Sequence, residues 1–556
     1  MKHLITFLCL LAPCAMLHAE KPNVIVVLVD DMGWSDIGCY GSEIPTPNLD
    51  ALAKNGLRFT QFYNTARCCP TRASLLTGLY PHQTGIGHMV AAHKDADGKV
   101  LEGYAGRLND RCVTMAEVLG SAGYFTAMSG KWHLGQNQGV VPWERGFQRS
   151  LNAAAGGFFF HDSPRADLFL NGQHVGRGGT HGVPKEWYST DLWTEYGLKF
   201  IDEAREAKKP FFLYLAHNAP HFPLQATPED IAKFRGKYRA GWDKLREARH
   251  ARQKELGVVD PAWPLAARPE RVKAWDDLSA AEQDRFDHIM AIYAACVYRM
   301  DRAIGTLTDG LRERGVLDNT LILFMSDNGG NAESGPNGRF NGENPGDAAS
   351  SVFCGESWAW LQNTPFRLYK HFNHEGGIAS PLVVHWPAGI PAKGELRQEP
   401  GHLVDVMATV VDATGASYPK EFKGQAIEPM EGRSLVPAFA NKPIEREAIF
   451  WEHEGNAAIR AGDWKLVRRS GQGAWELYDL KADRTEQKNL AATNVEKAKE
   501  LSGAWDVWAK RARVVPGPAR FSGDGTEARE ATPKSPAKAG GKKKRAAKSS
   551  VTDPGQ

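Results

Sequence analysis

The sequence has no C-x-x-C pair, and its eight cysteines are spread thinly over 556 residues. That excludes a small disulfide-knit scaffold and gives no thiolate zinc site. Charge imbalance is also missing: 68 Lys and Arg against 65 Asp and Glu leave a formal +3, so nothing in the folded body calls for nucleic acid as a partner. There is no internal repeat. The N-terminal apolar run, residues 4–17, is about 14 residues long, short of the roughly 20 a membrane span needs. It follows Lys2 and His3 and ends near Ala19, the pattern of a cleaved export signal over residues 1–19. The expectation is an exported chain, periplasmic or secreted, with no transmembrane segment. The stretch Leu11-Ala12-Pro13-Cys14 loosely resembles a lipoprotein cleavage box, but proline before the cysteine argues against lipidation of Cys14.

What is present is a series of apolar runs that each end in polar residues. Residues 23–29 form a continuous apolar run with β-branched bias, read as a strand buried on both faces, and end in Asp30-Asp31. Residues 124–128 read as a second strand, stopping at Ser129-Gly130-Lys131-Trp132-His133. Residues 211–215 lead into His217-Asn218-Ala219-Pro220-His221, and residues 320–325 deliver Asp327-Asn328-Gly329. Helical spacing fills the intervals, notably residues 192–206 and 289–314. Strands alternating with helices predict an α/β fold, a large, mixed, mainly parallel sheet with helices on both faces, whose ligands bind outside the carboxyl ends of the strands. All four polar clusters stand at such ends, so one shared site is expected.

The chain divides by texture. A catalytic domain is expected over residues 20–440, with a charge-rich insertion at 225–287. A small C-terminal α+β subdomain of antiparallel strands and one amphipathic helix follows at 441–515. Residues 516–556 are rich in Gly, Ala, Pro, Lys and Ser, include Lys542-Lys543-Lys544-Arg545, and read as a disordered basic tail.

Asp30, Asp31, Asp327 and Asn328 offer only oxygen, which suits a hard divalent ion, Ca²⁺ before Mg²⁺. Each pair alone is more often a turn or cap; two pairs on neighbouring strands point to a metal. Arg72, Lys131, His133 and His221 add positive charge and proton-transfer groups, the set an anionic substrate requires. His217 reads as an ordinary structural histidine. Cys68-Cys69-Pro70-Thr71-Arg72 reads as a loop entering a helix, whose free N–H groups face an anion.

Cys68-x-Pro70-Thr71-Arg72 followed by Leu76-Thr77-Gly78 resembles the signature of the type I, formylglycine-dependent sulfatases of the alkaline-phosphatase-like superfamily. Asp30-Asp31, Gly130-Lys131-Trp132-His133, Pro220-His221-x-Pro223, Asp327-Asn328-Gly329 and Lys370 before Glu375-Gly376-Gly377 occur in the family's order. The resemblance spans residues 21–515, and the insertion after His221 looks closest to bacterial arylsulfatases. It implies a sulfuric ester hydrolase in which a converting enzyme oxidises Cys68, not Cys69, to Cα-formylglycine. One hydroxyl of the hydrated aldehyde attacks sulfur, and the other expels sulfate and restores the aldehyde. One Ca²⁺ is expected on Asp30, Asp31, Asp327, Asn328 and the residue made from Cys68. Asp327 is expected to accept the nucleophile's proton, and Arg72 to brace the hydrated aldehyde. Lys131, His221 and Lys370 are expected to hold sulfate oxygens, with His221 or Lys370 protonating the leaving oxygen and His133 triggering sulfate release.

Two rivals stand beside this reading. One is a phosphonate or phosphate monoester hydrolase on the same scaffold; the other is a catalytically silent binder of sulfated polymers. The substrate expected is a sulfated small molecule or sulfated carbohydrate.

Overall fold

The computed structural model describes residues 21–515 apart from Gln472; the expected export signal and basic tail lie outside the described residues. The main sheet is built from β1 (Asn23–Val29), β2 (Leu57–Tyr63), β3 (Phe125–Lys131), β4 (Arg149–Ala153), β5 (Leu168–Leu170), β6 (Gln173–Gly176), β7 (Phe211–Ala216), β8 (Thr320–Ser326), β9 (Ala379–His385), β10 (Glu395–Arg397) and β11 (Gly401–His402). Its order is β10-β2-β9-β8-β1-β7-β3-β4-β5-β6, with β11 also on β2. The centre, β8-β1-β7-β3-β4, is parallel throughout. β9 runs antiparallel to both β8 and β2, and β5 and β6 form an antiparallel edge. This is the mixed, mainly parallel sheet expected.

The continuous apolar run of β1 is explained by its two faces. Ile25, Val27 and Val29 enter one hydrophobic core, while Val24, Val26 and Leu28 enter the other. A strand at the middle of a doubly covered sheet has no solvent face, so alternation disappears. Helices Ser189–Glu206 and Ala280–Glu313 cover the first face, and the second of these starts from a Ser279–Glu282 capping box. Helices Cys68–Thr77 and Val404–Thr414 lie on the other face.

Two expectations needed adjustment. β3 runs to Lys131, three residues past the expected end. Gly130 permits this, because its φ is 124° and an added Cβ would lie 1.9 Å from the Ala216 carbonyl oxygen on β7. The helix expected after the paired thiols begins at Cys68 itself, so the thiols occupy its first turn. Strands β2 and β9 had no counterpart in the sequence reading.

After β11 come four antiparallel strands, β12 (Ile449–His453), β13 (Asn456–Ala461), β14 (Trp464–Arg468) and β15 (Glu476–Asp479). Helix Val495–Arg511 packs on them through Trp505 and Trp508. The sheet is keyed to the body by Trp451, whose indole N–H donates to the Asn64 carbonyl at 2.8 Å. Among the described residues, no helix is long and apolar enough to cross a membrane.

Candidate active site

The carboxyl ends of β1, β3, β7 and β8 converge, and with them the polar groups that follow each strand. Lys131 Nζ lies 2.7 Å from Asp30 Oδ2. The Arg72 guanidinium lies 3.1 Å from Asp327 Oδ2 and 3.4 Å from Asp30 Oδ2, and donates to the Lys131 carbonyl at 3.0 Å. Asp31 is the hub on the other side. Its Oδ1 accepts from Asn328 Nδ2 at 2.7 Å and faces Lys370 Nζ at 2.9 Å; its Oδ2 accepts from Asn331 Nδ2 at 2.6 Å and lies 3.5 Å from His221 Nε2. The Asp31 amide donates to Asp327 Oδ1 at 3.1 Å, tying the two strand ends together. His221 Nδ1 donates to its neighbour's carbonyl, Phe222 O, at 2.5 Å, which leaves Nε2 as the nitrogen facing the site.

Helix Cys68–Thr77 brings its N-terminus to this cluster. Arg67 at the cap is extended and supplies no side-chain cap. The first N–H groups of a helix have no intrahelical partner; here they belong to Cys68 and Cys69, Pro70 having none. Thr71 fixes the helix start by donating its hydroxyl to the Asp327 carbonyl at 2.7 Å while accepting from the Thr65 amide at 3.2 Å. Both sulfurs lie within 4.8 Å of a His133 ring nitrogen. All six cysteines among the described residues are free and buried.

The electrostatics single out one thiol. A hydrogen bond from Cys69 holds Cys68 well below the usual thiol range, with Lys131 and His133 adding to it against burial. Cys69 is pushed well up by burial and by Cys68 itself. His133 is brought down to about 4 by burial and by Lys131, so it stands neutral near pH 7. Burial and the neighbouring Asp30 push the Asp327 carboxyl well up. Against its own burial, Asp30 is held below the carboxylate range by Lys131, His221 and Arg72. Asp31, Ala66, His133, Leu368 and His371 all take positive φ, between 57° and 82°. Such strain in non-glycine residues gathers where the fold overdetermines a functional geometry.

The donor set fits a hard cation. Asp30 Oδ1 and Asn328 Oδ1 are buried without a hydrogen-bond partner. Two oxygens left over beside Asp31 and Asp327, with no sulfur among these four, match Ca²⁺ or Mg²⁺ chemistry.

The structure therefore gathers Cys68, Arg72, Lys131, His133, His221, Asp30, Asp31, Asp327, Asn328 and Lys370 around one point. Lys370, which carried no signal outside the family pattern, is 1 % exposed. His217 is buried with neither ring nitrogen partnered and is brought down to about 3 by burial, so it is a neutral core side chain. Sequence reasoning missed Asn331 and Glu333, the latter 3.4 Å from both Lys370 Nζ and Arg67. The Asn328-Gly329-Gly330-Asn331 stretch could have flagged Asn331; nothing local marks Glu333.

Residues 22–416 match the family model described as Sulfatase, and residues 366–503 match that described as N-sulphoglucosamine sulphohydrolase, C-terminal. The chain belongs to the sulfatase family. This sulfatase is 37% identical to the arylsulfatase of Klebsiella aerogenes, over 77% of this chain and 94% of that one. It is 36% identical to an uncharacterized sulfatase of Schizosaccharomyces pombe, over 91% and 96% of the two chains. Among solved structures, Ps i-CgsB in complex with k-i-k-neocarrahexaose superposes with a TM-score of 0.65 at 26% identity, covering 90% of this chain and 94% of that one. The sulfatase fold is thus shared along nearly the whole described chain, and the protein is a sulfuric ester hydrolase acting on a sulfated substrate.

Proposed function

We propose that this sulfatase cleaves sulfate monoesters of the arylsulfatase type, using Cα-formylglycine made from Cys68 by a maturation enzyme and one Ca²⁺. The observation that carries the reading is the environment of position 68. It sits at a helix N-terminus, where a hydrogen bond from Cys69, with Lys131 and His133 beside it, holds even a thiol well below its usual range. Cys68 Sγ stands where the oxygen of the converted residue would be, so the same field favours an oxyanion there. Conversion supplies a hydrated aldehyde with two hydroxyls, and Asp30, Asp31, Asp327 and Asn328 would hold Ca²⁺, which neutralises sulfate charge and orients the nucleophile.

The remaining work falls to the chain's own side chains. Asp327, at the strand end beside the N-terminus of the nucleophile helix and 3.1 Å from Arg72, is placed to take the nucleophile's proton. Arg72, pinned between Asp327 and Asp30, braces the hydrated aldehyde. Lys131 and Lys370 direct ammonium groups at sulfate oxygens, and Lys370 or His221 protonates the leaving oxygen. His133, neutral at pH 7, acts as the base that releases sulfate. The apolar run at residues 4–17 supports export to the periplasm or medium.

Peptide mass spectrometry across residues 67–72, on protein from its own host, tests the proposal. An aldehyde in place of the Cys68 thiol is expected; an intact thiol in fully active enzyme would overturn it. Rates on matched aryl sulfate and aryl phosphate should favour sulfate, and the reverse order would move the reading to phosphate monoesters.

A further inference from the structure

Beside the nucleophile helix lies a second group of ligating side chains with different chemistry. His453 ends β12 and Glu454 opens the turn to β13, and His88 comes from the loop after helix Pro81–Thr84. His88 Nε2 and His453 Nε2 each lie 3.4 Å from the same oxygen, Glu454 Oε1. The two imidazoles stack with centroids 5.4 Å apart and planes 24° from parallel. All three ligand atoms fall within 4.8 Å of one another.

Two observations argue that this is more than a hydrogen-bonded patch. A separation of 3.4 Å is long for a hydrogen bond to a carboxylate, which closes to roughly 2.7–2.9 Å. It equals the ligand–ligand edge of a tetrahedral site with bonds of about 2.1 Å, roughly 3.4 Å. Second, His453 is fully buried with neither ring nitrogen hydrogen-bonded, and unlike His217 it turns its Nε2 toward a carboxylate, Glu454 Oε1, that a second imidazole also faces. A buried imidazole left so costs free energy unless something completes it.

The surroundings are those of a metal's outer shell. Glu454 Oε2, the oxygen facing away from the pair, is bonded to His371 Nδ1 at 2.8 Å, and His371 Nε2 lies 3.2 Å from Glu333 Oε1. Such a bond orients a ligating carboxylate. The nearby guanidinium of Arg67 lies 3.4 Å from Glu333, the carboxylate that His371 and Lys370 also face.

We propose that His88, His453 and Glu454 form a second metal site, for a borderline divalent ion of the Zn²⁺ class, with a fourth position open to water. Two imidazoles and one carboxylate select against Ca²⁺, which takes oxygen. The ion ties the His88 loop to the β12–β13 turn next to Arg67, the residue before the nucleophile. Met89, on the same loop, touches the Cys69 sulfur at 3.7 Å, so the staple also steadies the wall around position 68.

The test uses full-length enzyme stripped with chelator and reloaded with Ca²⁺, then titrated with Co²⁺ as an optical probe and with Zn²⁺ by calorimetry. Intense visible bands of tetrahedral Co²⁺ at one equivalent per chain are expected, bleached by Zn²⁺ and unmoved by excess Ca²⁺. His453→Gln should weaken binding by more than the roughly 10–100-fold that loss of an outer-shell partner costs. His88→Gln, in a loop position that tolerates change more readily, should do the same with Tm in the metal-free state unaltered. Absence of tetrahedral bands in the wild type, bands displaced by Ca²⁺, or full-strength binding in folded His88→Gln would each overturn the site.

Discussion

Two of the buried charge clusters in this protein are built to different standards. At the seam with the C-terminal sheet, Glu375 Oε1 meets Lys465 Nζ at 2.8 Å and Oε2 meets Arg484 Nε at 2.7 Å, with the Tyr63 hydroxyl donating to Oε2 at 3.1 Å. Lys465 also meets Glu486 at 2.8 Å. Each oxygen of Glu375 has its donor. At the strand ends the opposite holds. Asp30, Asp31 and Asp327 crowd together, the Asp327 carboxyl is pushed well up, and Asp30 Oδ1 and Asn328 Oδ1 have no partner. At the seam both Glu375 oxygens are matched, although Arg484 Nη2 beside them has no hydrogen-bond partner; at the strand ends the open atoms are oxygens on neighbouring acid and amide side chains, a set completed by a bound cation. Leftover oxygens, rather than buried charge as such, mark the functional cluster.

The sharpest way to break that contrast is to cut each cluster once. Cys68→Ala should abolish turnover while leaving the melting temperature nearly unchanged, and Cys69→Ala should largely spare both. Steady-state hydrolysis of an aryl sulfate, read beside a thermal melt, separates them, and equal losses would undo the choice of Cys68. Lys465→Met at the seam should do the reverse. It removes the cation that Glu375 and Glu486 share, leaving Glu375 with Arg484 alone, and costs about 3–5 kcal/mol of stability, while the folded fraction keeps its kcat. A second cut asks whether the strand-end cluster is strained when empty. Asp327→Asn keeps the shape and removes one of three like charges, so activity should fall by more than about 100-fold. Its melting temperature in chelator should match or exceed that of wild type. Added Ca²⁺ should stabilise wild type by about 2.7 kcal/mol at a hundred times its Kd, and the variant by much less. A variant less stable than wild type in chelator would show that the three carboxylates are already in balance.

How much of this was legible beforehand follows from what each residue type can say locally. The β1, β7 and β8 strands were readable because short continuous apolar runs bounded by polar residues have few other uses, and the polar residues at their ends followed. β2, with Arg58 and Gln61 interrupting its apolar positions, and β9, with Ser380 and Pro381 near its start, carry no such run. Gly130 ended β3 early on paper, since only the packed sheet reveals that the Ala216 carbonyl requires a glycine there. Asp30, Asp327 and Arg72 were marked by position and pattern. Glu333, His371 and Glu454 were not, because each acts through partners scattered across loops and the C-terminal hairpin, and long-range pairing leaves no periodic trace.

The smaller tests probe how complete the seam is. Burial alone would raise the Glu375 carboxyl, but Lys465 and Arg484 outweigh it and bring it to about 2, from an ordinary 4.5. A folded-state value below the unfolded one means the stabilisation is fully present above about pH 4.5 and is lost as pH falls toward 2. Urea midpoints should therefore drop between pH 5 and pH 2.5 by the equivalent of about 2–3 kcal/mol more in wild type than in Glu375→Gln; parallel profiles would remove the seam from acid stability. Tyr63→Phe is the finest cut. It deletes the hydroxyl that donates to Glu375 Oε2 and accepts from Arg460 NH1 at 2.6 Å, but leaves both ion pairs of Glu375 in place. A satisfied network should lose only about 1–2 kcal/mol from such a change, with kcat and KM unmoved because the ring stays packed on Trp451. A loss as large as that of Lys465→Met would mean that the hydroxyl, and not the ion pairs, holds the seam together.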